Sequence, residues 1–154
     1  MSFEFLPSDF AEVAPFWRDF LWPHRESLIE PVSAIGENGI IEMAWLAAEP
    51  RFWKIEQHGK IVGVVSALFL SRARSVRLRG IWVDHEFRGK GLGKEMIEKV
   101  VAEFGSVGCD RLWTMARVSA ALFYQSCGFI NPRMIKGFEF GPHVLLERSI
   151  TDST

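Results

Sequence analysis

The sequence has no closely spaced pair of cysteines. Its only two, Cys109 and Cys127, supply neither a zinc-binding pattern nor a disulfide framework. Reduced thiols in a cytoplasmic protein are the expectation. Long hydrophobic runs are missing too. The longest, residues 61–70, is interrupted by Gly63 and Ser66 and is too short to cross a bilayer. Residues 1–5 lack the basic start and apolar stretch of a secretory signal. No charge of one sign dominates: 18 Lys and Arg face 19 Asp and Glu, a net charge of −1. That excludes a nucleic-acid binder relying on a strongly basic surface. No repeat, low-complexity stretch or long linker divides the chain, so residues 1–154 are expected to form one domain. Tyrosine is the scarcest residue of interest. Tyr124 stands alone among 13 Phe and 6 Trp.

Local patterns give an order of elements. Residues 3–6 read as a short strand, and Asp9 with Glu12 as a capping box that starts a helix. Pro15 inside that helix predicts a kink or two short helices. Pro23, Pro31, Gly36 and Gly39 make residues 23–39 mostly loop. Residues 40–46 fit helix or strand equally. Strands follow at 51–57 and 60–70, joined by a His58-Gly59 hairpin turn. The second is almost continuously apolar, as a strand buried on both faces would be. A further strand at 75–83 contains Gly80, which predicts a bulge or a close approach by another group.

The helix starting at Leu92 places Leu92, Met96, Ile97, Val100, Val101 and Phe104 on one face. Glu95 and Lys99 suit an i,i+4 pair, and Gly105 suits the helix end. After a strand at 111–116, Ser119 is placed to cap a short helix to Cys127, with Gly128 left-handed behind it. Phe129 would pack back on Phe123 or Tyr124. Strands at 129–135 and 143–150 complete a mixed α/β arrangement around one sheet. The six tryptophans, Trp17, Trp22, Trp45, Trp53, Trp82 and Trp113, are expected in the core.

The strongest functional signal is a strand, then Arg88-Gly89-Lys90-Gly91-Leu92-Gly93, then an amphipathic helix. A glycine-rich turn that opens into a helix N-terminus offers free N–H groups and a positive dipole end to a phosphate. Glycines let the backbone approach an anion closely. Nucleotide motifs do not fit. Lys94 is followed by Glu95 rather than Ser or Thr, and glycines at 89, 91 and 93 are not spaced as G-x-G-x-x-G.

Arg-x-x-Gly-x-Gly after a strand resembles the acetyl-CoA site of the GNAT superfamily, the GCN5-related N-acetyltransferases. The stretch 81–93 carries the resemblance. A second landmark, Ala120-Ala121-Leu122-Phe123-Tyr124-Gln125-Ser126-Cys127-Gly128-Phe129, resembles the family's Ala-x-x-Phe-Tyr-x-x-x-Gly-Phe. The resemblance is strong over residues 76–130 and rests only on element order before them.

It implies a GNAT acyl-CoA N-acyltransferase fold: a mostly antiparallel sheet of six or seven strands, splayed into a V and flanked by helices. It implies acetyl-CoA as cosubstrate and an amine as acceptor, and leaves a homodimer open; no metal and no nucleic-acid or membrane partner are expected. By the resemblance, the CoA pyrophosphate lies on the amides of Arg88, Gly89, Lys90, Gly91, Leu92 and Gly93. The pantetheine arm runs beside Ile81, Trp82 and Val83, between strands 79–83 and 111–116, with Ala120 and Tyr124 in the second landmark bordering it. A main-chain N–H near Val83 would polarise the thioester carbonyl. Tyr124 falls on the family's catalytic tyrosine and would protonate the leaving thiolate.

Two positions depart from the family pattern. Arg117 stands where many members carry an Asn that binds the arm. The strand before the loop offers Arg77 and Arg79 in place of a carboxylate. The base is therefore open among Glu26, Glu30, Glu37, Glu42, Glu56, His24, His143 and ordered water. These departures leave a second reading, an acyl-CoA sensor of the same fold without turnover. Arg77 and Arg79 share a strand face. Either they border the acceptor cleft and meet a carboxylate or phosphate, or they form a solvated sheet edge with Arg72 and Arg74. Cys127 offers a covalent route only if a base stands beside it.

Overall fold

A computed structural model describes residues 2–136 and 142–150. Strand β1 (Glu4–Ser8) leads into helix α1 (Phe10–Phe16), and the Asp9 carboxylate accepts from the Glu12 N–H at 2.9 Å. The Glu12 carboxylate does not close the reciprocal half of a capping box. It accepts from Ser8 at 2.6 Å and from Lys54 at 3.0 Å. Pro15 has no N–H to continue the ladder, and the helix widens into a π-helical turn at Trp17–Leu21. Residues 23–42 are coil apart from one Ile35–Ile41 bridge, and a 3₁₀ turn follows at Met43–Ala47.

Strands β2 (Glu49–Gln57) and β3 (Lys60–Leu70) pair through His58 and Gly59, both at positive φ (51° and 76°). Two positive-φ residues are what a right-twisted hairpin needs. Strand β4 (Ser75–Val83) pairs with β3, and the register slips where Gly80 and Ile81 both face Val65. After β4 come helix α2 (Leu92–Gly105), strand β5 (Arg111–Arg117), helix α3 (Ala121–Ser126), and strands β6 (Ile130–Ile135) and β7 (His143–Ser149). The seven strands run β1-β2-β3-β4-β5-β7-β6. Only β4 and β5 are parallel, and they pair no further than Leu78 with Thr114. The Thr114 hydroxyl donates to the Leu78 carbonyl at 3.1 Å, closing the last rung before the strands part. That parting is the expected V.

Both sheet faces are covered. Helix α2 buries Leu92, Met96, Ile97, Val100 and Phe104 on one face. On the other, Trp17 packs with Val13, Phe52, Val64 and Trp82, and Trp45 packs with Leu68, Trp113 and Leu145.

Two local expectations are replaced, and a third, the helix end at Gly105, is met without the left-handed turn. Lys99 lies over the Phe5 ring at 5.8 Å, and the helix's ion pairs are instead Glu98 with Arg148 at 2.6 Å and Glu103 with Arg51 at 3.5 Å. Gly105 is the last helical residue and Ile150 crowds it, at 3.2 Å from where a Cβ would stand; the left-handed residue is Gly108, at φ 81°. Ser119 lies within a 3₁₀ turn at Val118–Ala120, and α3 starts from Ala120 with no side-chain cap.

Candidate active site

The V between β4 and β5 opens into a cleft of about 830 Å³. Gly80, Ile81, Trp82 and Val83 form one wall, and Met115, Ala116, Arg117, Ser119 and Ala120 the other. Arg88, Gly89, Gly91, Leu92, Gly93 and Lys94 close one end. Tyr124 lines the cleft, with Phe123 and Ser126 beside it.

Gly80 shapes the wall. Its φ is +65°, and a Cβ there would stand 2.3 Å from the Trp17 ring. The Trp17 indole N–H also donates to the Gly80 carbonyl at 2.7 Å. The close approach predicted at this glycine is therefore made by a tryptophan 63 residues earlier. Beyond the bulge, the Asp84 N–H donates to Val62, which alternation turns the main-chain groups of Val83 away from β3 and towards the open V. The Val83 carbonyl there accepts from Arg88 Nε at 2.9 Å, which ties the glycine loop to the strand end.

The loop fits a diphosphate. Gly89 and Gly91 sit at φ 78° and 80°, and no heavy atom lies within 4 Å of where either Cβ would be. Their conformation demands glycine, while the space beside them is open. Gly91 occupies the N-cap of α2 with no side-chain cap, and Glu95 is the first residue to donate back, at 3.0 Å. The N–H groups of Leu92, Gly93 and Lys94 are thus the unsatisfied first turn of a helix. No main-chain acceptor among the described residues takes the N–H of Gly89 or Gly91. Gly93 differs, because a Cβ there would meet Phe123 at 2.9 Å. Lys90 is not part of the lining; its ammonium lies over the Phe87 ring at 5.5 Å. Lys94, on the first turn of α2, lines the cleft instead.

Tyr124 is 6% exposed. Its ring packs edge-on to Phe129 at 5.4 Å and to Phe123 at 5.2 Å. Burial pushes the phenol well above its ordinary range, opposed by a hydrogen bond with Thr114 and reinforced slightly by Cys127. The phenol is therefore neutral and able to donate, and it lies by the rung where the V begins. Cys127 is buried outside the cleft lining, and burial raises its thiol, which disfavours the thiolate a covalent route would need. Arg117 lines the cleft and donates across it to the Leu21 carbonyl.

None of the seven acidic and histidine residues considered as base lines the cleft. Glu37 is held by Ser75 and Arg111, and Glu56 by Lys54 at 2.7 Å. His143 is opposite Arg117 in register. Among the described residues no cluster of three metal-binding side chains occurs.

Arg77 and Arg79 are not on a solvated edge. Arg79 is 6% exposed, donates to the Glu30 carbonyl at 2.7 Å, and lies over Trp17 and Trp22 at 5.1 and 5.4 Å. Arg77 lies over Trp113 at 5.3 Å. Burial, then the charge of Arg25, lowers Arg77 to about 10. Burial, then Arg77 and Arg25, lowers Arg79 to about 9, against a small opposing pull from Glu30. Both remain charged at neutral pH. Five of the six tryptophans are buried as expected, but Trp22 is only half-buried and lines the cleft, as does the buried Trp82.

The chain is similar to known proteins. An N-acetylaspartate synthetase from Xenopus tropicalis is 33% identical over 105 residues, which is 63% of this chain and 38% of that protein. A glucosamine 6-phosphate N-acetyltransferase from Arabidopsis thaliana is 30% identical over 81 residues, 49% of this chain and 54% of that protein. The chain thus spans about half or less of the length of these relatives. Among solved structures, a GNAT-family acetyltransferase from Staphylococcus aureus superposes with a TM-score of 0.68 at 19% identity, covering 97% of this chain and 100% of that one. The ribosomal-protein-S18-alanine N-acetyltransferase of Escherichia coli gives 0.67 at 15%, covering 99% and 97%. These two show the fold alone. A sequence profile of the acetyltransferase (GNAT) family matches residues 14–129, three quarters of the chain, including the bulged strand, the glycine loop and Tyr124. The chain belongs to the acetyltransferase (GNAT) family.

Proposed function

We propose that this protein transfers an acetyl group from acetyl-CoA to a primary amine, with both reactants bound at once. The observation that carries the reading is a run of open main-chain amides at residues 89–94 leading into a V that has Tyr124 at its root. The amides and Lys94 would hold the pyrophosphate. The open edge of Ile81, Trp82 and Val83 would align the pantetheine arm, bordered by Ala120 and by Arg117 from the opposite wall. The Val83 N–H would meet the thioester oxygen. The amine nitrogen then attacks the carbonyl carbon, the C–S bond breaks, and Tyr124 gives its proton to the departing sulfur. Alignment of two bound reactants supplies much of the rate.

Calorimetry with acetyl-CoA, beside thiol release across a panel of amines, tests this. Saturable binding with release on at least one amine is expected. Saturable binding without release on any amine would instead make the protein an acyl-CoA sensor. Gly91→Asp places an anion in the proposed phosphate cradle. It is expected to weaken acetyl-CoA binding about 10- to 100-fold, the effect of losing a charge-assisted hydrogen bond. Unchanged affinity would move the diphosphate elsewhere.

The pH profile follows from what the cleft contains. No Asp, Glu or His lines it among the described residues, so the amine loses its proton to water. kcat/KM is expected to climb with pH until the acceptor amine is itself neutral. Tyr124 is the acid in its protonated form, and its raised pKa keeps that form present beyond the ordinary phenol value of about 10. The alkaline fall therefore lies above that pH. A plateau starting near pH 6 or 7 would reveal an enzyme base and overturn this assignment.

A further inference from the structure

Beneath the coil of residues 23–42, on the sheet face opposite α2, three arginines gather. Arg25 lies over Trp22 at 5.5 Å and bonds Ser27 at 2.9 Å. Arg79 is tied to the Glu30 carbonyl. Arg77 differs: its Nε and Nη1 are shielded from solvent, yet no hydrogen-bond partner among the described residues takes them. Among the described residues, the Trp113 ring lies over its guanidinium at 5.3 Å. No carboxylate among the described residues is ion-paired with Arg77 or Arg79. The one acidic influence recorded there is the weak pull of Glu30 on Arg79. Shielded donors without acceptors and like charges side by side are both unfavourable, and a protein interior rarely keeps them without a use.

The position suggests the use. Arg77 and Arg79 flank Leu78, whose carbonyl makes the last rung before the V. They point to the face opposite α2, whereas Tyr124 packs in the α2-side core. Arg77 pairs with Trp113, and two residues on, about 7 Å along the strand, Met115 lines the cleft. Trp22, stacked on Arg79, is also cleft wall. The arginines themselves lie outside the cleft lining, so an acceptor whose amine reached the thioester from this face would meet them with its far end only past Met115 and Trp22.

We propose that the acceptor carries a carboxylate or a phosphate and that Arg77, with Arg25 and Arg79 behind it, receives that anion. The proposal rests on the transferase reading. Guanidinium groups grip either anion through paired N–H donors, so matched substrates separate the two sources. One arm compares α-amino acids with their amides; the other compares amino-alcohol phosphates with their parent amino alcohols.

The anionic member of one arm is expected to exceed its neutral partner about 100-fold in kcat/KM, as for a charge-assisted bidentate contact. Arg77→Met is expected to erase that ratio through KM. It should leave acetyl-CoA affinity and the neutral amine's rate unchanged. Arg77→Lys should recover part of the ratio, and Arg25→Ala, in the coil, should reduce it. Because Arg77 has shielded donors without partners, Arg77→Met should melt at or above the wild-type temperature. A lower melting temperature with an intact ratio would make Arg77 structural and end the proposal. Equal use of neutral and anionic amines would end it while leaving the transferase reading intact. A binding arm is independent of turnover: CoA-loaded protein is titrated with inorganic phosphate and with acetate by calorimetry. Wild-type heat absent from Arg77→Met supports the anion site, even if no amine is turned over and the transferase reading fails. No heat with either anion, joined to no anionic preference, overturns it.

Discussion

Tyr124→Phe is expected to lower kcat about 10²- to 10⁴-fold, the usual weight of one positioned acid. Acetyl-CoA affinity should stay within about twofold, because the hydroxyl is asked to act only as the C–S bond breaks. The substitution is clean. Phenylalanine keeps the edge-on contacts with Phe129 and Phe123 and removes a single oxygen beside Thr114. Folding should change little, so a circular-dichroism melt beside steady-state thiol release separates chemistry from stability. Donors with a more acidic thiol should lose less to the substitution, since their thiolate departs without a proton. A fall of under tenfold with acetyl-CoA would place the proton donor elsewhere. Cys127 is a poor substitute, buried away from the cleft lining.

Much of the scaffold was legible because local and long-range preferences agree. The facing ends of β2 and β3 follow from a two-residue turn with positive φ at both positions, and the extent of β3 from a hydrophobic run that stops at polar residues. Helix α2 follows from its apolar stripe and the glycines ahead of it. The glycine-loop end of the cleft was legible for the same reason. A glycine loop before a helix is a local feature, and its chemistry lies in its own backbone.

The acceptor side was not. What covers Arg77 and Arg79 is coil at residues 23–42, which has no period to read and is placed by contacts such as Arg79 with Glu30, 49 residues apart. The arginines' burial did have a signal that residue preference alone hides. Val76, Leu78 and Trp82 on the same strand, with a parallel neighbour beyond the glycine-loop helix, mark β4 as central and covered on both faces. A charge on such a strand lies inside. Trp22 and Lys94 were missed because their roles depend on where the π-helical turn and the first turn of α2 meet the cleft, which is tertiary geometry. Ser119 failed as a cap because the chain first tightens into a 3₁₀ turn, leaving Ala120 at the helix start.

Gly80→Ala is expected to damage both stability and cofactor binding, because one glycine joins the two sides of the site. A methyl group at φ +65° is strained by about 1–2 kcal/mol. It would also stand 2.3 Å from the Trp17 ring, an overpacking worth about 1–3 kcal/mol. The indole's hydrogen bond to the Gly80 carbonyl, worth about 1 kcal/mol, would be lost as the ring moves. Together these predict a loss of about 3–6 kcal/mol, seen as a melting temperature lower by about 6–24 °C. Because the bulge aims Ile81, Trp82 and Val83 into the V, acetyl-CoA affinity should fall at least about tenfold, the effect of misplacing one strong hydrogen bond. A double-mutant cycle with Trp17→Ala separates the causes. The clash vanishes in the double variant, so the two changes should be strongly non-additive in stability. The backbone strain at Gly80 remains, and the lost indole no longer buttresses Arg79, which lies over that ring. If Gly80→Ala alone binds acetyl-CoA as wild type does, the bulge is a packing accommodation and the strand edge beyond it does not hold the cofactor.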